Sequence, residues 1–71
     1  MKIHRVQNAS SLLDIASVQE RTAAMVAEVL PDAERAGRTA SAMAMFRLLH
    51  RCRLQAEVLR AHAEAARSAR G

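Results

Sequence analysis

The chain has few of the residues that form active sites or that cross-link and stabilise small folds. Its 71 residues include one cysteine, one proline, two glycines and one aromatic residue, Phe46. With Cys52 as the single cysteine, no internal disulfide can form, and we expect a cytoplasmic location. Since Gly37 and Gly71 are the only glycines, the chain lacks a glycine-rich phosphate-binding loop.

The histidines and the cysteine do not combine into a reactive group. His50 and Cys52 are two residues apart in a predicted helix, so their side chains diverge by about 200°. No two residues among His4, His50, Cys52 and His62 have the three- or four-residue spacing of a helical metal site. We therefore expect no enzyme, no cofactor and no metal.

Long apolar runs are also missing. Charged residues interrupt the first hydrophobic region well before the roughly 18 apolar residues of a membrane span. No uninterrupted apolar stretch follows the basic residues near the amino end, so we expect no signal peptide. Sixteen residues are alanine, so large side chains for a core are scarce. A chain of this size and composition commonly needs an oligomer or a partner.

Two heptad-like stripes predict two helices. In the second half of the chain, small or apolar residues recur in steps of three and four at Ala42, Met45, Leu49, Cys52, Ala56, Leu59, Ala63 and Ala66. In the first half, the same steps join Ser11, Ile15, Val18, Thr22, Met25 and Val29, with Leu12 and Val26 on one flank. We expect each stripe to be the seam along which its helix packs on the other.

Pro31 and Gly37 divide the chain. Pro31 is expected to end the first helix, and Gly37 is a natural residue just beyond a helix end. The predicted organisation is an extended basic arm over 1–8 and one domain over 9–71, with helices over 10–30 and 40–69 and a connection over 31–39. The predicted fold is all-α, an antiparallel two-helix hairpin of coiled-coil type, completed to a helical bundle by a dimer mate or a partner protein.

The net charge of +4 is unevenly distributed. Residues 8–34 carry −4 and residues 35–71 carry +6, which favours antiparallel pairing of an acidic with a basic helix. Charges also alternate along the second helix, at Arg53, Glu57, Arg60, Glu64 and Arg67. We interpret this ladder as a solvated face whose pairs stabilise their own helix.

Apolar residues outside the seams indicate a protein-binding surface. Met43, Met45 and Phe46 crowd the start of the second helix, while Leu54 and Val58 point away from its seam, as do Leu13 and Leu30 in the first helix. We predict partner binding through Met43, Met45, Phe46, Leu54 and Val58, to another protein or to a second copy, with a homodimer favoured. Ordinary surface scatter, or cover by the arm, is the alternative.

Arg47 and Arg51 suggest a second function. They lie one helical turn apart, beside His50, and are candidate anion-binding residues for a small basic nucleic-acid-binding regulator. The chain lacks the aromatic residues on which single-stranded bases stack, and two long helices do not form a helix-turn-helix reader. Nucleic-acid binding is therefore the alternative to protein interaction.

The second helix also carries a family resemblance. A Pro/Gly-containing connection is followed by Met43-Ala44-Met45-Phe46 and continues through Gln55, Glu57 and Leu59. This pattern resembles the small helical proteins of bacterial type III secretion systems, the needle co-chaperones and inner-rod subunits, over about half of the chain. The resemblance implies a non-catalytic protein that shields or builds a helical secretion assembly.

Overall fold

Residues 9–70 fold into two α-helices joined by a tight turn. The structure, a computed structural model, describes residues 9–70. Helix α1 spans Ala9–Arg35 and helix α2 spans Thr39–Arg70, and the two helices pack against each other extensively. These two helices are the only regular elements of residues 9–70, which confirms the predicted all-α helical hairpin. The predicted arm, residues 1–8, lies outside the described residues.

The first helix continues through Pro31, so the prediction that it ends at residue 30 is wrong. Only residues 36–38 connect the helices, where the sequence predicted a connection over 31–39. A proline inside a helix costs about 3 kcal/mol because it removes a hydrogen-bond donor and crowds the preceding turn. Packing around the proline offsets this cost, since Ala33 is buried and Leu30 packs against the core.

Gly37 ends α1 as the sequence predicts. Its φ of 73° lies in the left-handed region that favours glycine. The amide of Gly37 donates to the carbonyl of Glu34 at 3.1 Å, and the amide of Arg38 donates to the carbonyl of Ala33 at 3.0 Å. These two bonds form a Schellman motif, which satisfies carbonyls at the helix end. The turn therefore reverses the chain within three residues.

The seam of α2 matches the sequence prediction at every position. Leu49, Cys52, Ala56 and Ala63 are buried, and Ala42, Met45, Leu59 and Ala66 are half-buried. Ala23 of α1 joins Leu49 and Cys52 in the central cluster of the core. Met45, predicted both as a seam residue and as a partner-binding residue, therefore lies in the seam.

The seam of α1 differs by one residue from the predicted stripe. The α1 residues that recur at seam spacing and are buried or half-buried are Ala9, Leu12, Ala16, Gln19, Ala23, Val26, Leu30 and Ala33. Most of the predicted stripe is exposed instead, namely Ser11, Ile15, Val18, Met25 and Val29, while Thr22 is half-buried. The predicted α1 stripe is therefore wrong, as is the expectation that Leu30 points away from the seam.

Small residues explain the shifted seam. Within residues 9–69, the buried side chains are Leu12, Ala16, Ala23, Ala33, Leu49, Cys52, Ala56 and Ala63. Five of these eight are alanine, and small side chains at a helix contact allow the two backbones to approach closely. Because alanines of α1 occupy buried positions of the seam, many of the larger apolar side chains of α1 are left on its outer surface.

Candidate interaction surface

Large apolar side chains are concentrated on the outside of the hairpin. Within residues 9–69, the exposed ones are Ile15, Val18, Met25, Val29, Met43, Phe46, Leu48, Leu54 and Val58. Single exposed apolar residues are normal in soluble proteins, whereas a contiguous patch marks an interaction site. The arrangement of these nine side chains on the two helices is therefore informative.

Six of the nine lie on one side of the hairpin, which we call the open face. It consists of Ile15, Val18, Met25, Val29, Leu48 and Val58, whose exposed fractions range from 38% to 69%. Each of them immediately precedes a seam residue, as Val18 precedes Gln19 and Val58 precedes Leu59. One residue rotates the direction of a helical side chain by about 100°. In antiparallel helices, the flanks that precede the two seams lie on the same side of the pair.

Contacts between the helices confirm that these two flanks adjoin. Near the middle of the hairpin, the side-chain amide of Gln19 donates to the side-chain oxygen of Gln55 at 2.9 Å. A groove at the same level is lined by Gln19, Leu54, Gln55, Val58, Leu59 and His62. Near the turn, Val29 of α1 and Ser41 of α2 line another groove. The open face therefore runs from the turn along most of α1.

The opposite face of the hairpin is mainly polar. Within residues 9–69, its exposed large apolar side chains are confined to the turn end, where Met43 and Phe46 line a groove with Glu34, Thr39, Ala42 and Arg47. Further along, Glu20 of α1 and Arg60 of α2 form a bidentate ion pair, with Nε–Oε2 and Nη2–Oε1 distances of 2.7 and 2.6 Å. This face offers no apolar stripe comparable with the open face.

The Glu20–Arg60 pair links the two helices electrostatically. Hydrogen bonding from the Arg60 guanidinium lowers the pKa of Glu20, assisted by the attraction between the charges and opposed by partial desolvation. The same hydrogen bond raises the pKa of Arg60. The sequence interpretation assigned Arg60 to a ladder within α2. Among the described side chains, its ion-pair partner is on α1, and no ion pair joins two residues of the ladder. The interpretation that pairs within the ladder stabilise α2 is therefore wrong.

The predicted partner-binding residues occupy three different places. Val58 belongs to the open face, and Leu54 lies beside it and lines the same groove. Met43 and Phe46 are exposed near the turn on the opposite face. Met45 is half-buried in the seam. The structure thus brings together two pairs of the predicted residues but does not join all five into one surface.

Four open-face residues were missed because the sequence interpretation placed them in the core. Ile15, Val18, Met25 and Val29 form a regular apolar stripe, and such a stripe normally faces the neighbouring helix. The signal that distinguishes the two faces is the parallel stripe of small residues, with Ala9, Ala16, Ala23 and Ala33, one residue further along. An Ala-rich seam in α2 complements that second stripe.

The candidate anion-binding residues are both exposed. Arg51 immediately precedes Cys52 and so lies on the flank of the open face, while Arg47 lines the groove that contains Glu34. Neither arginine forms an ion pair within the described part of the chain. An acidic side chain next to Arg47 weakens the local positive potential that a phosphate requires. Anion binding through this pair stays a prediction.

Other chemical groups are dispersed. Residues 9–70 contain no cluster of three or more histidine, cysteine or acidic residues that could hold a metal ion. Cys52 is a free, buried thiol in the seam, and His50 is exposed. Neither of the two described helices is long and apolar enough to cross a membrane.

Comparisons with known proteins assign no family. No family model matches the chain, and no curated protein or solved structure is significantly similar to it. The open face and its residues are therefore the basis for a functional proposal.

Proposed function

We propose that this chain is a non-catalytic protein-interaction module that docks the open face of its helical hairpin on another helical surface. The observation that carries the proposal is that small side chains fill much of the seam while large apolar side chains lie on the surface. Alanines occupy much of the seam, while Ile15, Val18, Met25, Val29, Leu48 and Val58 remain exposed. A helix pair that is apolar on an outer side as well as along its seam is typically buried by something further.

The energetic gain from covering this face is large for so small a domain. Added together, the exposed fractions of the six open-face residues equal those of about three fully exposed side chains. At roughly 1.5–3 kcal/mol for each large apolar side chain, covering them contributes about 4–9 kcal/mol per chain before the costs of association. The total stability of a typical domain is of similar size, about 5–15 kcal/mol. Docking is therefore able to decide whether the hairpin is stably folded.

The proposed mode of recognition is side-chain packing between helices. The open face presents residues at helical spacing, such as Val18, Met25 and Val29, which suits insertion against an apolar helix or helix pair. Met25 is the most exposed of the six, and its flexible side chain adapts to irregular surfaces. Within this proposal, the chain acts as a chaperone or assembly component in a reducing compartment such as the cytoplasm. The type III secretion resemblance implies the same kind of role.

Site-specific photocrosslinking in cells that express the chain tests the proposal. A photoreactive amino acid placed at Val18 is expected to form covalent protein adducts because this position lies in the docked surface. The matched control places the photoreactive amino acid at Arg53 instead, because Arg53 is exposed on the opposite face. Absence of adducts at Val18, or equal adducts at both positions, would contradict docking through the open face.

A further inference from the structure

We infer that the occupant of the open face is a second copy of this chain, packed so that α1 of each subunit lies on α2 of its partner. This inference rests on the proposed function and adds the partner, the symmetry and the register. The product is a four-helix bundle in which both turns lie at the same end. The contact is isologous, so each residue pair occurs twice across the interface.

Charge selects this arrangement over the other symmetric one. On the open face and the outer sides of the helices, apart from the Asp32–Arg35 ion pair, α1 has Asp14, Arg21 and Glu28, a net charge of −1, and α2 has Arg47 and Arg51, a net charge of +2. A two-fold axis parallel to the helices places the acidic α1 on the basic α2 of the partner. An axis perpendicular to the helices would instead stack α1 on α1 and α2 on α2, with like charges together.

Two of the four apolar α1 residues of the open face match an apolar α2 residue in height under the parallel axis. At 1.5 Å per residue from the turn, Val18 lies about 29 Å and Val58 about 31 Å along the hairpin. Val29 and Leu48 lie about 13 and 16 Å along it. The parallel axis retains height, so Val18 packs on Val58 of the partner subunit, and Val29 packs on Leu48 of the partner subunit.

A polar layer between these two apolar layers also matches. Thr22 and Gln55 lie about 23 and 26 Å from the turn, on the flanks of the open face. The Gln55 side-chain oxygen accepts from Gln19, which leaves its amide group to donate. The Thr22 hydroxyl donates to the carbonyl of Val18 at 3.0 Å, which leaves its oxygen able to accept. The Gln55 amide is therefore placed to donate to the Thr22 hydroxyl of the other subunit, and a buried polar contact of this kind specifies register.

Charges at the outer edges complete the match. Glu28 and Arg47 are both exposed, and each lies about 14 Å from the turn on the side of its helix away from the seam. When α1 docks on α2 of the partner subunit, these edges adjoin at equal height. Glu28 then lies at the same height as Arg47 of the other chain, and Arg51 of that chain, on the flank of the open face, is one turn further along.

Disulfide trapping with single-cysteine variants tests the occupant and its register together. Cys52→Ala removes the native thiol from a seam that already contains alanines, and V18C and V58C are then introduced into separate chains. Under oxidising conditions, a mixture of purified V18C and V58C is expected to give a covalent dimer, and neither variant alone should do so. The matched control is a mixture of V18C and M25C, which would be trapped only if α1 packed on α1.

The outcomes separate this inference from the proposed function. Trapping of V18C with V58C supports the dimer as described. Preferential trapping of V18C with M25C, or an absence of any covalent dimer, overturns it. If trapping fails while the photoreactive residue at Val18 captures other proteins in cells, the second-copy inference is wrong and the interaction module stands. If the Val18 photocrosslink also yields nothing, both are wrong.

Discussion

The guanidinium of Arg60 in α2 donates two hydrogen bonds, of 2.7 and 2.6 Å, to the carboxylate of Glu20 in α1. The residues are 40 positions apart in the sequence, so the pair joins an acidic helix to a basic one far from the turn. Such a pair favours one alignment of α2 along α1 over neighbouring alignments. Because both side chains are half-exposed, its contribution is electrostatically screened.

This ion pair predicts a pH dependence. The pKa of Glu20 is lowered in the folded chain, so the pair stabilises the fold above the unfolded-state pKa and this contribution is lost as the pH falls through the folded-state value. Arg60 stays charged throughout because its pKa is raised. We expect Glu20→Gln to lower the melting temperature slightly at neutral pH, with the difference from the wild type disappearing at pH values well below 4.5.

Glu57→Gln is the matched control for that measurement, because Glu57 is exposed and forms no ion pair with another residue of the described part of the chain. Thermal unfolding is followed by circular dichroism between about pH 3 and about pH 7, because a glutamate carboxylate becomes protonated within this range. Salt should reduce the effect of Glu20→Gln because it screens exposed charges. An effect of Glu57→Gln equal to that of Glu20→Gln would count against the interhelical pair.

A leucine-to-alanine substitution in α2 should reduce the free energy of unfolding more in the seam than on the surface. Leu49 is 7% exposed and belongs to the central core cluster, whereas Leu54 is 53% exposed. We expect Leu49→Ala to reduce the free energy of unfolding by about 2–4 kcal/mol, and Leu54→Ala by less than about 1 kcal/mol. Urea unfolding measures both, and equal losses would contradict the seam.

Pro31 predicts a stabilising substitution. It lies inside α1, where its ring removes a backbone donor, yet its side chain is exposed and outside the seam. Pro31→Ala restores the donor and favours helix, so we expect the free energy of unfolding to rise by about 1–3 kcal/mol. A loss of stability in urea unfolding would show that the continuous α1 helix is wrong.

Local patterns predicted most of the fold. The seam of α2, from Ala42 to Ala66, could be predicted because a single three-four stripe runs along that helix. Gly37 could be placed because its left-handed conformation is a local property of a helix end. The length of α1 could not be predicted, because the packing of Leu30 and Ala33 outweighs the local effect of Pro31.

The candidate site was harder to predict because α1 carries two stripes at the same spacing. One contains Ile15, Val18 and Met25, and the other contains Ala16 and Ala23. Hydrophobicity alone favours the first as the seam, whereas close packing on the Ala-rich seam of α2 selects the second. Which of the two stripes forms the seam depends on how closely α1 packs on α2. The sequence pattern of α1 alone does not carry that information. Val58 and Leu54 were identified because they lie outside the single stripe of α2.

The mass of the purified chain in solution, measured by sedimentation equilibrium, is the most direct test of the open face as a self-docking surface. We predict a helical species of twice the 7.8 kDa chain mass. The double variant Val18→Glu/Val58→Glu, with charges in the centre of the open face, should shift the mass to that of one chain. A wild-type chain that sediments as a folded monomer, or a double variant that still sediments as a dimer, would contradict self-docking through this face.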